Sequence, residues 1–378
     1  MKIAIFGGAF NPVHNEHINI VLSAKNSLGM DKIIIMPTFI SPHKSGSMIA
    51  RAKDRLKMCR LAFDGIEGVE VSDYEVKRGG VSYSYITCRH FKKLYPEDEL
   101  YFIIGSDNLD GFHLWREPEE ILKCVTLIVC TRVEAAMSAA KIKKFMSRFN
   151  KELIVLGYVG KAVSSTRVRA LAALGEDISP YVPEAVKRHI SHGQLYYLPE
   201  LAPVKKYLTE ERWRHTVGVA VTAAENCRRV NVYEIDAITA AALHDCAKYL
   251  ESSAPELKGF KCPENVPAPV VHQYSGAFVA EHTFGIKDKD ILNAVRYHTS
   301  GRENMSGIEK LIYLADLLEE GRDFDGVEAL RKLLSRDIDE CLYAALESQV
   351  EYLSKSGKPV YPLTRRAYEY LKETKNGQ

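Results

Sequence analysis

The sequence predicts an α/β protein in which a doubly wound parallel sheet is followed by an all-α domain. Roughly the first 160 residues alternate short β-branched runs with amphipathic stretches, which is the pattern of βαβ units. After about Leu174 the β-branched runs stop and helical patterns continue. The 378 residues also exceed the usual size of a single hydrophobic core.

Six strands and the first crossover helices can be placed from the sequence. Apolar residues recur every three or four positions in the stretches that begin at His17 and Ala52, which indicates helices. Ligands of such a sheet bind beyond the carboxyl ends of its strands. The predicted strands are KIAIF from Lys2, KIIIMP from Lys32, VEVSDYEV from Val69, ELYFIIG from Glu99, TLIVCT from Thr126 and ELIVLGYV from Glu152.

Pro199 and Pro203 mark the predicted junction between the two domains. We therefore expect one domain over residues 1–198 and a second over residues 199–378.

Composition and charge exclude several classes of protein. Hydrophobic residues make up 46% and charged residues 26% of the chain, and no uninterrupted apolar run is long enough to span a membrane. A net charge of +2 predicts no binding to nucleic acid or to anionic membranes. Eight scattered cysteines and an N-terminus without a signal-peptide pattern favour reduced thiols and a cytoplasmic protein. The oligomeric state stays open, a homo-oligomer included.

A glycine pair and two histidines follow the first predicted strand in the segment IFGGAFNPVHNEH. Gly7 and Gly8 fit a tight turn, and His14 and His17 lie three residues apart at the start of the next helix. Both imidazoles then face one side, at the positive end of a helix that attracts phosphate oxygens. A glycine-rich turn alone is a weak signal, but its combination with the histidine pair is much more specific.

This segment resembles the (H/T)xGH signature of the nucleotidylyltransferase superfamily, in the form found in bacterial nicotinate-mononucleotide adenylyltransferases. The resemblance covers roughly residues 1–198 and implies a Rossmann-like nucleotidylyltransferase domain. Four further segments follow in the family's order: PTFISPHK ending at Lys44, GSDNL beginning at Gly105, LWREPEEIL containing Trp115, and VSSTRVR ending at Arg169.

The resemblance implies that a mononucleotide phosphate attacks the α-phosphorus of ATP and that pyrophosphate leaves, with Mg²⁺ bound to the nucleotide. His14 and His17 would contact the phosphates in the transition state, while Lys44 and Arg169 would hold the triphosphate. The residues that would contact the nucleotides are Gly7, Gly8, Phe10, Lys44, Gly105, Asp107, Trp115, Ser164, Ser165, Thr166 and Arg169.

Other interpretations of these residues stay open at this stage. A lone tryptophan such as Trp115 is more often a core residue than a ring platform, and the run from Ser164 to Thr166 can be a helix cap. Glu16 stands where the signature has glycine, so its carboxylate is expected to point away from the phosphates. Ser84 and Ile86 replace the commoner Thr and Asp of another family segment, which leaves its part in substrate recognition open.

The second predicted domain contains histidines and aspartates in the order His, His-Asp, His, His, Asp. Burying six such groups among apolar residues without partners would be costly, and a site for two metal ions removes that cost. Mixed nitrogen and oxygen donors suit iron, manganese or cobalt. The six residues are His215, His244, Asp245, His272, His298 and Asp316.

The motifs HTVG, HDCAK, HTSG and ADLLEEGR resemble those of the YqeK-like HD family, which hydrolyses dinucleoside tetraphosphates symmetrically. The resemblance implies a catalytic role for Asp245 as the residue that bridges two metal ions. Lys248 and Arg322 are candidate phosphate contacts, although a surface ion pair with Glu319 or Asp325 is an equal alternative for Arg322. The implied ligands are His215, His244, Asp245 and Asp316 for one ion, and His272 and His298, with the bridging Asp245, for the second.

Together the two resemblances predict a bifunctional enzyme with ATP, nicotinate mononucleotide and dinucleoside polyphosphates as its small-molecule partners. One domain would make a dinucleotide, and the other would hydrolyse one. An alternative is that one domain senses a nucleotide without turnover. Another keeps both activities but changes the substrates, to nicotinamide mononucleotide or to a guanosine polyphosphate.

Overall fold

In the computed structural model of the chain, the described residues are 1–42, 48–131, 139–160 and 163–376. They form two units. The first is built from Met1–Ser45, Ile49–Val168 and Asp177–Leu195, and the second mainly from Arg169–Glu176 and Tyr196–Gln378. Among the described residues, no helix is both long and apolar enough to cross a membrane.

The first unit contains a six-stranded parallel sheet, which confirms the predicted fold class. The strand order β3-β2-β1-β4-β5-β6 reverses direction between β1 and β4, and this switch point is where doubly wound sheets bind their ligands. The strands are β1 (Lys2–Gly8), β2 (Lys32–Pro37), β3 (Val69–Val71), β4 (Glu99–Gly105), β5 (Thr126–Thr131) and β6 (Leu153–Val159).

The central strands are buried on both faces, because helices cover each side of the sheet. Ile5 of β1 pairs with Ile34 of β2 and with Phe102 of β4, and all three side chains are buried. This register brings the ends of β1 and β4, at Gly8 and Gly105, to the same edge of the sheet.

The third strand is shorter than the sequence predicts. The run VEVSDYEV indicated a strand from Val69 onward, but β3 ends at Val71 and a short helix begins at Tyr74. Ser and Asp side chains form hydrogen bonds with nearby backbone groups and favour helix starts over strands. Here Oγ of Ser72 accepts from the N–H of Tyr74 at 3.3 Å, and the carbonyl of Asp73 accepts from Lys77 at 2.8 Å.

Helices fill the connections of the first unit. The first of them, α1, ends at Gly29, whose φ of 63° is the left-handed conformation that glycine adopts without strain. The helices are α1 (Asn15–Leu28), α2 (Ala52–Phe63), α3 (Tyr74–Arg78), α4 (Ser84–Leu94), α5 (Ser106–Leu109), α6 (Pro118–Cys124), α7 (Ala139–Phe149), α8 (Ser165–Ala173) and α9 (Glu184–His192).

Helices are the regular secondary structure of the second unit, and its described residues contain no strand, which confirms the predicted all-α domain. Its core is formed around α11, where the run from Ala237 to Leu243 is buried on every side of the helix. The helices are α10 (Glu210–Asn226), α11 (Glu234–Leu243), α12 (Val271–His282), α13 (Lys289–Tyr297), α14 (Gly307–Leu318), α15 (Val327–Leu334), α16 (Ile338–Lys355) and α17 (Pro362–Asn376).

Arg55 of α2 is a buried cation that holds the loops at the ligand-binding edge of the sheet. Its guanidinium donates to the carbonyl of Ala9 at 2.7 Å, of Phe39 at 2.8 Å and of Ala50 at 3.1 Å. Ala9 follows β1 and Phe39 follows β2, so one side chain fixes two loops.

We predict that Arg55→Met destabilises the protein by about 3 kcal/mol, because three carbonyls lose a charged donor in a buried place. The matched control is Arg60→Met, which removes an exposed arginine of the same helix and should change stability by less than about 1 kcal/mol. Chemical denaturation of both variants measures the difference. Equal stability of the two variants would contradict the role given to Arg55.

Candidate functional sites

The turn after β1 places two histidines at the start of α1. The backbone N–H of His14 donates to Nδ1 of His17 at 3.1 Å, and the ring centroids are 3.7 Å apart. Because a backbone N–H can only donate, Nδ1 of His17 accepts and the ring proton lies on Nε2. His17 therefore offers an N–H donor at the positive end of a helix, the arrangement that binds phosphate oxygens.

The glycines of this turn make room for aromatic side chains. A Cβ on Gly7 would lie 3.1 Å from the ring of Phe102, and a Cβ on Gly8 would lie 3.2 Å from the ring of Phe10. The Phe10 ring is buried and its centroid is 5.0 Å from that of His17. The Phe10 ring thus packs against the ring of His17.

Glu16, which replaces the glycine of the signature, is held by hydrogen bonds. Its carboxylate accepts from the hydroxyl of Tyr158 at 2.6 Å and from Nδ2 of Asn19 at 2.9 Å. Burial and the Glu16 contact raise the pKa of Tyr158 to about 12, so the phenol keeps its proton and donates. The sequence does not indicate that Tyr158 is the partner of Glu16, because Tyr158 lies more than a hundred residues away on β6.

The end of β4 supplies a second predicted pair, Gly105 and Asp107. Any side chain at Gly105 would collide with Oδ1 of Asp107, so the glycine is required for the carboxylate to turn back over the strand end. Trp115 is half-buried, with its ring 5.2 Å from Phe112 and 6.5 Å from Phe102. It therefore packs on the core while part of its surface stays exposed.

The serines at the start of α8 form hydrogen bonds with other parts of the protein. Oγ of Ser164 accepts from the N–H of Arg167 at 3.0 Å, which makes Ser164 a helix cap. The hydroxyl of Ser165 donates to the carbonyl of Pro12 at 2.9 Å and joins this helix start to the β1 turn. Thr166 follows in the first turn of the helix, and Lys44 lies outside the described residues.

Arg169, predicted to hold a triphosphate, forms a buried ion pair in the second unit. Its Nε and Nη2 each donate to an oxygen of Glu234 at 2.6 Å, and both side chains are at most 4% exposed. Such a bidentate pair is strongly directional. The pair engages Nε and Nη2 of the guanidinium that was predicted to hold the triphosphate.

The second unit brings all six predicted metal ligands into one cluster. His215 lies on α10, His244 and Asp245 directly follow α11, and His272 lies on α12. His298 follows α13 and Asp316 lies on α14, so five helices contribute to the cluster. Two overlapping groups have ligand atoms within 4.8 Å of one another: His215, His244 and Asp316, and His244, Asp245 and His298.

The carboxylate of Asp245 lies at the centre of this cluster. Its Oδ2 is 3.3 Å from Nε2 of His244, and its Oδ1 is 3.3 Å from Nε2 of His272 and 3.5 Å from Nε2 of His298. Nε2 of His215 lies 2.9 Å from Oδ1 of Asp316. Asp245 thus faces imidazoles with both oxygens, as the predicted bridging residue would.

The imidazoles are oriented as metal ligands are. Nδ1 of His244 donates to the carbonyl of Ala241 at 2.7 Å, and Nδ1 of His298 donates to that of Val295 at 2.8 Å. The proton on Nδ1 leaves each Nε2 with a lone pair directed into the cluster. Nε2 of His244 is buried and has no hydrogen-bond partner among the described residues. These donors fit a divalent cation.

The charge states of two members of the cluster, Asp245 and His272, suit metal binding. Burial raises the pKa of Asp245, but the His244 and His298 imidazoles outweigh this and hold it well below its usual range. Burial, together with the neighbouring His298 and Lys248, lowers the pKa of His272 to about 3. At neutral pH the aspartate is ionised and His272 is neutral, which is the form of each that binds metals.

Three cationic side chains reach the cluster from partly exposed positions. Lys248 approaches Asp245 with Nζ 3.1 Å from Oδ2, and Nη1 of Arg212 lies 3.2 Å from the same oxygen. Arg322 donates to Oδ1 of Asp316 at 2.8 Å, and its Nε also lies 4.0 Å from Oε1 of Glu319, one of the two ion-pair partners considered for it. Arg212 was not predicted, although its place three residues before His215 puts both on one face of α10.

Two family descriptions match the chain: Cytidylyltransferase-like over residues 5–171 and HD domain over residues 212–358. A Mycoplasma genitalium protein named "Probable nicotinate-nucleotide adenylyltransferase/Ap4A hydrolase" is 31% identical over 326 residues, which are 85% of this chain and 88% of that protein. This chain belongs to the nicotinate-nucleotide adenylyltransferase/Ap4A hydrolase family. Both resemblances inferred from the motifs are thereby confirmed.

Relatives that match one half of this family's architecture are also similar to the chain. A Clostridium tetani protein named "Probable nicotinate-nucleotide adenylyltransferase" is 38% identical over 52% of the chain and 98% of its own length. The Bacillus subtilis "Bis(5'-nucleosyl)-tetraphosphatase, symmetrical" is 39% identical over 45% of the chain and 95% of its own length.

We predict that Asp245→Ala lowers the amount of bound Mn²⁺ at least about tenfold, because the central carboxylate of the cluster is removed. The control is His282→Ala, which deletes an exposed imidazole of the same unit that contacts the carbonyl and ring of Phe278 in its own helix. Metal analysis of the dialysed proteins checks this. Equal metal content in the two variants would refute the assignment of the cluster.

Proposed function

We propose that the chain is a bifunctional enzyme. Residues 1–198 transfer the adenylyl group of ATP to nicotinate mononucleotide, giving deamido-NAD and pyrophosphate. Residues 199–378 hydrolyse diadenosine tetraphosphate symmetrically to two ADP. The observation that carries the proposal is the presence of both sites in a chain whose relative, 31% identical over 85% of it, bears both activities in its name.

In the first reaction, a phosphate oxygen of the mononucleotide bonds to the α-phosphorus of ATP. The bond from that phosphorus to the bridging oxygen breaks, and pyrophosphate leaves with the electron pair. Nε2–H of His17 supplies a donor for the charge that develops on the phosphate oxygens, and His14 lies beside it. The α8 N-terminus adds Ser164, Ser165 and Thr166 next to the β1 turn, and Mg²⁺ accompanies ATP.

In the second reaction, a water oxygen bonds to a phosphorus on one side of the central bridge and the P–O bond to the bridging oxygen breaks. The chemistry that two bound cations supply there is activation of water and stabilisation of the phosphate charge. Iron, manganese and cobalt suit the imidazole and carboxylate donors. Arg212, Lys248 and Arg322 approach the same cluster with positive charge and would bind the polyphosphate chain.

We predict that His17→Ala lowers kcat for deamido-NAD synthesis about 100-fold or more, because a donor at the developing phosphate charge is lost. Hydrolysis of diadenosine tetraphosphate should stay within a few-fold of wild type. The matched control is His192→Ala, an exposed histidine of the first unit, which should leave both rates unchanged. Chromatography of the products from parallel reactions measures the rates.

Two results would overturn parts of this proposal. Wild-type turnover in folded His17→Ala protein would remove His17 from the adenylyl-transfer site. Binding of ATP and mononucleotide by the wild-type protein without formation of deamido-NAD would instead identify the first unit as a nucleotide sensor.

We also predict that kcat/KM for nicotinate mononucleotide exceeds that for nicotinamide mononucleotide at least about tenfold. The two rings differ by the full charge of a carboxylate, and a site built for one leaves buried polar groups unpaired with the other. Initial rates at several concentrations of each mononucleotide provide the comparison, and equal values would contradict the proposed substrate.

A further inference from the structure

A buried carboxylate, Glu319, lies behind the metal ligand His215. Its Oε1 is 3.1 Å from Nδ1 of His215, and its Oε2 accepts from the N–H of Gly321 at 2.6 Å. The side chain is 7% exposed. Glu319 follows the C-terminal residue of α14, whereas His215 lies within α10, so the contact joins two helices across the cluster.

This contact determines which nitrogen of His215 can bind a cation. An ionised carboxylate only accepts hydrogen bonds, so Nδ1 of His215 carries a proton. Nε2 is then the nitrogen that can bind a cation, in place of any proton that it shares with Asp316. Nε2 faces Oδ1 of Asp316 at 2.9 Å, toward the cluster. His244 and His298 obtain the same orientation from backbone carbonyls of their own helices, and His215 obtains it from Glu319.

The turn that contains Glu319 is itself held in place by Arg331 of α15. The guanidinium donates to the carbonyl of Leu318 at 3.0 Å, of Glu319 at 2.7 Å and of Arg322 at 2.8 Å. These hydrogen bonds fix the backbone from which the Glu319 side chain extends to His215. A positioning contact needs such a rigid base.

Gly218 provides the space that the Glu319 side chain occupies. A Cβ at this position would collide with Oε2 of Glu319 and would lie 3.1 Å from its Cδ and 3.4 Å from its Cβ. Glycine inside a helix costs about 1 kcal/mol relative to alanine, so its presence in the middle of α10 needs a reason. Gly301, the glycine of the other HTxG motif, differs because its φ of 64° closes the turn after His298.

We propose that Glu319 is a positioning residue that holds His215 in the Nδ1-protonated form, and that Gly218 is there to admit it. This inference rests on the proposed metal centre of the second unit. It gives a role to the glycine of HTVG and to the first glutamate of ADLLEEGR, and the close approach of these two residues links the two motifs.

The test is a double-mutant cycle on metal affinity in the full-length protein. We expect Glu319→Ala and Gly218→Ala each to weaken Co²⁺ binding about 10- to 100-fold, the usual effect of losing such a partner. The double variant should bind no more weakly than Glu319→Ala alone, because the added methyl group then meets no carboxylate. Competition with a chromophoric chelator gives the affinities, and the visible spectrum of bound Co²⁺ reports the ligand geometry.

The outcomes separate this inference from the proposed function. If wild-type protein binds no Co²⁺, the metal centre itself is wrong. If wild-type protein binds Co²⁺ and Glu319→Ala binds it equally well with an unchanged spectrum, Glu319 is not a positioning residue. Additive losses in the double variant would contradict the role given to Gly218.

Two controls keep the test decisive. Deamido-NAD synthesis, which uses neither residue, should be unchanged in every variant and thereby reports an intact chain. Glu319→Gln keeps the side-chain volume and replaces the alanine variant if that one does not fold. Its amide oxygen accepts from only one of the two N–H groups that the carboxylate satisfies, so Co²⁺ affinity should fall in the same direction.

Discussion

The buried negative charge of Asp245 is the constraint on which the second unit depends. An ionised carboxylate that is 1% exposed is stable only when positive or hydrogen-bonding groups surround it. Imidazoles from α12 and from the ends of α11 and α13 face its two oxygens, and Arg212 and Lys248 reach it from the surface side. Substituting any of these groups therefore changes the charge balance of the whole cluster.

In the proposed function, the first unit binds phosphate groups that belong to its substrates. The groups proposed to bind them are the α1 N-terminus, the glycine turn and Nε2–H of His17, at the edge where the order of the parallel strands reverses. Here the rigid sheet positions the β1 and β4 ends, and Arg55 fixes the loops that follow β1 and β2. Glu16, the buried carboxylate of this segment, is held by Tyr158 and Asn19.

The sequence predicts the parts of both sites that follow from local patterns. The order of histidines and aspartates in helical stretches identified the six members of the cluster, and strand periodicity gave the parallel sheet. The roles of Glu319 and Gly218 were missed because they depend on where α10 and α14 meet, which no local pattern contains. The Arg169–Glu234 pair was missed for the same reason, since the motif around Arg169 indicates phosphate binding and says nothing of a partner 65 residues later. Arg212 was missed although its spacing from His215 places both residues on one face of α10.

The central claim is that Asp245 lies between two cations held by one set of imidazoles and carboxylates. Anomalous diffraction from crystals of the protein loaded with Co²⁺ tests it most directly. We expect two anomalous peaks, one on the side of His215, His244 and Asp316 and one on the side of His272 and His298, with Asp245 contacting both. A single peak that Asp245 does not contact, or none at all in crystals with full Co²⁺ occupancy elsewhere, would contradict the account.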